Sequence, residues 1–464
     1  MLFNSLEFIF LYVPIVVTVF FILGRYNKKQ YATAWLVFAS FFFYGYWDVR
    51  YVPLLLVSII FNYLVGKKLE FEKNKKFWLW LGILVNISML AYFKYMDFFL
   101  ESVNIMLGVS YFELMHIVLP LGISFFTFTQ SAYLIDAYRG ETTGYSFKTY
   151  CLFVTVFPHL IAGPIIYHKD MIPQFMNKAN CHINYDNMAM GLALFSVGLF
   201  KKIVIADNIS IWVNSIFNHY DQLNFLEAWA GALGYTFQLY FDFSAYSEMA
   251  IALGLMLNLR LPVNFNSPYQ ALSIIDFWRR WHMTLGTWVK SYLYIPMGGN
   301  RHGEFAKMRN LFVSMLIIGL WHGAGWTFIF WGGMHGLLLM INHQWRRTGI
   351  ALPKPICWAL TFFSVMLAWI FFRADSFAQA LQIIHSMFDF QDIYIAAANW
   401  RVEKNAVNVW SAIAGLGILI WLPNPIIMLR KFKADCIWYA ITLIALLISL
   451  YQMNTYTEFL YFQF

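Results

Sequence analysis

LFVSMLIIGLWHGAGWTFIFWGGMHG, residues 311–336, is an apolar run with His322 placed deep inside it and His335 next to its end. An ionisable side chain within a membrane-length apolar segment is costly and by default marks a functional site. Gly319, Gly323, Gly325, Gly332 and Gly333 surround it. These glycines remove side chains, so another helix or a substrate chain can come close to the backbone. Small-residue helix packing explains the glycines equally well. It leaves the histidine unexplained.

The rest of the chain shares this background. Of 464 residues, 60% are hydrophobic, 20% aromatic and only 12% charged. Soluble domains carry roughly 25% charge, so a soluble multidomain protein and a disordered chain are both excluded. The net charge is +8 (32 basic against 24 acidic residues). Such a surplus suits cytoplasmic loops of a multispan protein better than nucleic-acid binding. The four cysteines, Cys151, Cys181, Cys357 and Cys436, have no paired spacing, so neither a zinc site nor a disulfide framework is expected. The N-terminus lacks a basic stretch and a cleavage site, and reads as a retained first span.

A crossing helix needs about 20 apolar residues. Windows of that kind lie at roughly 6–24, 31–47, 51–66, 77–99, 117–135, 150–166, 188–205, 225–258, 311–343, 356–373, 407–422 and 436–453. Two of them are long enough for a bent pair, which predicts about 11–13 crossings in one all-α integral membrane domain over residues 1–464. Arg25, Lys28 and Lys29 follow the first span, and KKLEFEKNKK (67–76) follows the third. The intervening turns hold only Arg50 beside Asp48, then Glu101 and Glu113. The alternation places the N-terminus outside the cytoplasm, with Arg430, Lys431 and Lys433 marking a further cytoplasmic loop.

Residues 259–310 break the pattern. The segment is too polar for a span and too aromatic for a free loop, and it carries seven Arg and Lys residues from Arg260 to Arg309. Short amphipathic helices at the cytoplasmic interface are expected, with a turn at Gly298–Gly299–Asn300. Within DFWRRWHMTLGTW, a helix would put Trp278 and His282 on one face and turn Arg279 and Arg280 toward phosphates or lipid head groups. Most of the eleven histidines sit near span ends, in ordinary boundary roles. A zinc site built from His282, His322 and His335 has no HxxxH or carboxylate spacing behind it. Asp136, Asp207, Asp242, Glu248, Lys94, Lys201 and Lys202 lie in or beside spans. They are expected to act as helix-packing ion pairs or polar glue, with a proton relay as the alternative.

A buried neutral histidine is suited to take a proton from a hydroxyl, which could then attack a thioester. Coenzyme A or phosphopantetheine thioesters carry phosphates, which the basic 259–310 insert could hold. The residues thus fit acyl transfer, with a transporter or export channel for an acyl group or glycan as the competing class and a scaffold as a weaker third.

Several segments together resemble the membrane-bound O-acyltransferase (MBOAT) family. They are FWRRWHMTLGTWVKSYLYIPMGGNR (277–301), RNLFVSMLIIGLWHGAGWTFIFWGGMHG (309–336), LFNSLEFIFLYVPI (2–15), FPHLIAGPII (157–166), YFDFSAYSEMAIALG (240–254) and EFLYFQF (458–464). The likeness is strongest to the bacterial branch that holds the membrane subunits of alginate and peptidoglycan O-acetylation. It implies a ring of tilted helices around a tunnel, in a bacterial inner membrane. The family's catalytic histidine falls on His322, and its second motif histidine on His282, where many eukaryotic relatives use Asn. Trp278, Arg279, Arg280, Trp281, Trp321 and Gly323 form the expected donor-binding set. No bound cofactor or metal is implied; acetyl-CoA or a carrier-protein thioester serves as donor substrate. The implied partners are an extracytoplasmic acetyltransferase and a polysaccharide acceptor. The related D-alanyl transfer proteins of teichoic acid modification are the alternative, and the termini favour acetyl.

Overall fold

The computed structural model describes the chain except residues 27, 143, 391–399, 401–404, 423, 425–431, 454–459 and 461–464. Arg430, Lys431 and most of the closing segment 458–464 lie outside the described residues. The described residues form helices and connecting segments, with no strand among them. Among the described residues, five helices are long and apolar enough to cross a membrane: Phe8–Arg25, Val49–Phe71, Lys75–Leu107, Tyr185–Asn218 and Lys354–Arg373. Two shorter apolar helices span Ala406–Leu419 and Cys436–Gln452. The protein is an all-α polytopic membrane protein.

The chain divides into two compact units. The first comprises Met1–Ser196, Tyr246–Pro262 and Lys433–Thr442. Its helices turn large apolar side chains outward: Phe38, Leu64, Trp80 and Leu84 are exposed, as lipid-facing residues would be. Its interior contains polar glue instead. The Asn62 and Asn86 amides bond each other at 2.8–2.9 Å, and Gln130 Nε2 donates to Ser58 Oγ at 2.9 Å. Small residues let these helices close up; a Cβ on Gly66 would stand 2.5 Å from the Tyr133 ring.

The window 150–166 is no single span. A helix over Phe147–Thr155 stops, a short turn covers Phe157–Leu160, and the chain then runs irregularly past Gly163 and Pro164. Proline at 158 forbids a continuous helical hydrogen-bond ladder. The segment is wholly buried in protein, and that is where irregular backbone is tolerated at membrane depth. His159 Nε2 donates to Phe153 O at 3.1 Å, and Phe157 N donates to Ser40 Oγ at 3.1 Å.

The second unit comprises Val197–Ala245, Val263–Phe432 and Leu443–Phe464. The window 311–343 resolves here into two helices, Gly303–His322 and Trp326–Thr348, joined by Gly323–Gly325. The contacts made by their glycines pair residues in reverse order, so the helices are antiparallel. A Cβ on Gly319 would meet Phe328 O at 2.3 Å, and one on Gly332 would meet Met315 O at 2.3 Å. A Cβ on Gly323 would fall on the Phe328 ring at 2.2 Å. The space cleared by these glycines is therefore filled by the facing helix rather than left for a substrate chain.

The basic insert also differs from expectation. It forms short helices over Ile274–Arg280 and Met283–Val289, but Phe265, Tyr269, Phe277, Trp281 and Leu285 are all buried. These side chains pack into the core of the second unit, whereas Trp278, Trp288, Tyr292 and Tyr294 of the same insert are half-buried. Lys202 supplies the expected intramembrane ion pairing, reaching Asp242 at 2.7 Å and Asp207 at 2.8 Å.

Candidate active site

His322 is the last residue of its helix, not a mid-helix side chain. The chain turns there through Gly323 and Gly325, both extended, with Gly325 N donating to Gly323 O at 3.0 Å. His322 is 5% exposed, and aromatic rings wall it in. Trp331 and Phe372 both stand 5.3 Å away by ring centroid, each edge-on, and Trp321 stands 4.9 Å away.

His282 lies 6.4 Å from His322 by ring centroid and is fully buried. It does not share a helix face with Trp278. The helix bearing Trp278 ends at Arg280, and His282 adopts φ +44°, the left-handed region that few residues other than glycine enter. Distant residues hold it there. Met283 N donates to Asn264 O at 2.9 Å, and Asn266 N donates to Arg280 O at 2.9 Å. The His282 carbonyl then starts the next helix by accepting from Gly286 N at 3.0 Å.

Asn264 also sets the chemistry of this imidazole. Its Oδ1 accepts from Thr284 Oγ1 at 2.9 Å and from Thr284 N at 3.4 Å, which fixes the orientation of the amide. The same oxygen lies 3.0 Å from His282 Nδ1, so Nδ1 carries the hydrogen and Nε2 is the basic nitrogen. Burial lowers the His282 pKa to about 3. The ring is neutral at physiological pH.

A third histidine joins the cluster. His335 is fully buried, and its Nδ1 accepts from Trp278 Nε1 at 3.3 Å, so its hydrogen sits on Nε2. Its ring packs 4.9 Å from Trp331, which in turn faces His322. His282 and His335 thus hold opposite tautomers on either side of the WHG turn. His282 Nδ1 donates to an amide oxygen and His335 Nδ1 accepts from an indole N–H, and both of these partners are neutral.

Of the expected donor-binding residues, Trp278, Trp321 and Gly323 are in the cluster. Trp281 stands behind it, stacked on Phe277 at 5.6 Å. The arginines are not brought in: Arg279 is exposed, and Arg280 Nε pairs with Asp276 Oδ1 at 3.0 Å. Sequence reasoning gave no site role to Asn264, Trp331 or Phe372, and gave His335 only one in a disfavoured zinc set. His335 lies in the same glycine-rich run as His322, which was a usable signal. Nothing local pointed to Asn264. Among the described residues, no group of three or more His, Cys, Asp or Glu side chains is arranged to hold a metal ion.

Residues 71–378 match the membrane-bound O-acyltransferase family, a stretch containing all three histidines. Curated relatives agree. The chain is 47% identical over 420 residues to a peptidoglycan O-acetyltransferase of Helicobacter pylori, covering 83% of this chain and 80% of that protein. It is 39% identical over 445 residues to a probable alginate O-acetylase of Pseudomonas aeruginosa, covering 93% and 82%. A teichoic acid D-alanyltransferase of Streptococcus thermophilus is 26% identical over 245 residues, covering 49% and 57%. By family match and by relatives spanning most of its length, this chain belongs to the membrane-bound O-acyltransferase family and is an acyltransferase.

Proposed function

We propose that the protein moves an acetyl group from a cytoplasmic thioester, such as acetyl-CoA, to a hydroxyl outside the inner membrane. The acceptor is a cell-envelope polysaccharide of the alginate or peptidoglycan kind, reached through an extracytoplasmic partner. One observation carries the reading: His322 and His282 are buried 6.4 Å apart at a glycine turn, inside an aromatic enclosure. The names of the relatives at 39–47% identity support acetyl as the group moved. The charge alternation of the early loops supports an N-terminus outside the cytoplasm.

In this reading His322 takes the proton of the attacking hydroxyl. The hydroxyl oxygen bonds to the thioester carbonyl carbon, the C–S bond breaks, and the proton passes to the departing thiolate. General base assistance of this kind supplies about 10²–10⁴ in rate. His282 orients the reacting groups through Nε2, its tautomer held by Asn264. Trp278 and Trp321 line the donor side. Enclosure by rings excludes water, which otherwise competes with the acceptor hydroxyl.

Purified protein in proteoliposomes tests the reading. With acetyl-CoA as donor, free thiol is expected only when a hydroxyl acceptor is supplied, with one ester formed per thiol released. Passage of an acyl group or glycan without thioester cleavage would instead identify a conduit. The likeness to a D-alanyltransferase makes a carrier-protein thioester the control donor. Faster turnover with D-alanyl carrier protein than with acetyl-CoA would reassign the group transferred.

A further inference from the structure

A cavity of about 630 Å³ in the first unit is lined by Lys28, Lys29, Lys148 and Lys178, with no carboxylate among its described lining residues. Three separate chain segments supply the four ammonium groups. Some other cations of this unit sit against carboxylates, Lys67 beside Glu70, Lys68 beside Glu72, Lys169 beside Glu141 and Arg50 beside Asp48, while Arg25, Lys73, Lys75 and Lys76 have no described ion pair. Here the described bonds go to uncharged oxygens. Lys29 Nζ donates to Met176 O, and Lys148 Nζ donates to Gln30 O at 3.1 Å. Those bonds hold two ammonium groups at the cavity without cancelling their charge.

Helix polarity adds to the field. Lys29 opens the helix Lys29–Gly45, and Lys148 is the second residue of the helix Phe147–Thr155, whose N-cap Ser146 also lines the cavity. A helix N-terminus carries about +0.5 of an elementary charge and favours anions, so a lysine in the first turn is electrostatically disfavoured. Two such lysines on two helix starts, facing one cavity, form an arrangement that a bound anion would stabilise. Ser146 and Thr149 place hydroxyls in the same lining, as oxygen-rich anions require.

We propose that this cavity binds a phosphate-bearing ligand, with an anionic phospholipid head group of the surrounding leaflet as its source. Tyr26 and Tyr31 are exposed at the adjoining helix ends, as interfacial aromatic residues are. The same four-lysine face sits beside loops that the charge alternation assigns to the cytoplasm, the side of soluble phosphates and of anionic lipid alike. The site lies apart from the histidine cluster in sequence and in compact unit, and the proposal does not depend on the acetyl reading.

Native mass spectrometry of the delipidated full-length protein tests it, with phosphatidylglycerol and phosphatidylcholine offered in turn. A preference for phosphatidylglycerol is expected, weakened about fivefold per lysine removed. Lys28→Gln with Lys178→Gln is the first variant, since neither side chain makes a described hydrogen bond and folding is spared. The quadruple lysine-to-glutamine variant is the second. Coenzyme A and inorganic phosphate form the soluble arm. Binding there that the quadruple variant loses, with no lipid preference, would keep the site and change the source. Equal retention of both lipids by wild type, together with no lysine-dependent binding of either soluble phosphate, would overturn the proposal.

Discussion

His168 in the first unit and His322 in the second are both buried, and their neighbours differ in kind. His168 Nε2 meets Asp136 Oδ2 at 3.0 Å and its Nδ1 meets the Tyr145 hydroxyl at 2.9 Å, so both nitrogens are committed. Arg139 shares the carboxylate from 3.4 Å. That arrangement ties the chain after Tyr138 to the helix His168–Met176 and works as an anchor. Around His322 the neighbours are rings, a second histidine and a glycine turn. The contrast teaches that burial alone does not mark a reactive imidazole. What surrounds the nitrogens decides whether a proton can be taken up and passed on.

The comparison can be broken most sharply at its two centres. His322→Ala is expected to lower acetyl transfer by at least about 10³-fold, within the range of a lost general base, with protein level and melting unchanged. His168→Ala should do the opposite. It removes one described partner of the buried Asp136 carboxyl and should cost about 1–3 kcal/mol of stability, read as earlier melting in detergent, while turnover per folded molecule stays near wild type. A folded His168→Ala protein without activity would end the distinction.

Smaller effects sharpen it. Asn264→Ala removes the acceptor that holds the His282 tautomer, and a buried hydrogen-bonding group left unmatched costs about 1–3 kcal/mol. A fall in kcat of about tenfold or more is expected, larger than any change in KM. The smallest effect concerns pH. Burial holds the His282 pKa near 3, below its ordinary 6.5, so the ring is already neutral across the working range. His282→Gln should therefore slow turnover yet leave the acid limb of the pH profile in place. A displaced limb would assign the titrating group to His282 instead.

Much of this was legible in residue order. His322 stood out because an imidazole in so apolar a run requires a reason, and the same scarcity of charge marked Lys202 and Asp242 among the expected ion-pairing or polar-glue residues, without pairing them. Its exact placement was less legible. The run reads as one long apolar window, whereas Gly323–Ala324–Gly325 turns the chain and puts His322 at a helix end. The placement of His282 depends on Asn264, eighteen residues earlier, and a helical face drawn through Trp278 and His282 has no means of registering that bond. Charge alone turns Arg279 and Arg280 toward phosphates or lipid head groups, but Asp276 lies one helical turn before Arg280 and pairs with it. Local pattern picked out the candidate residues, and long-range hydrogen bonds determined how they face.

The central claim is that acyl transfer occurs at His322 and that His168, held between Asp136 and Tyr145, is structural. Its most direct test is ester formed per folded molecule for His322→Ala and His168→Ala, measured side by side in the same proteoliposomes with acetyl-CoA and a hydroxyl acceptor. The account predicts no detectable ester from the first and near wild-type ester from the second. Ester formation by folded His322→Ala at the wild-type rate would contradict it.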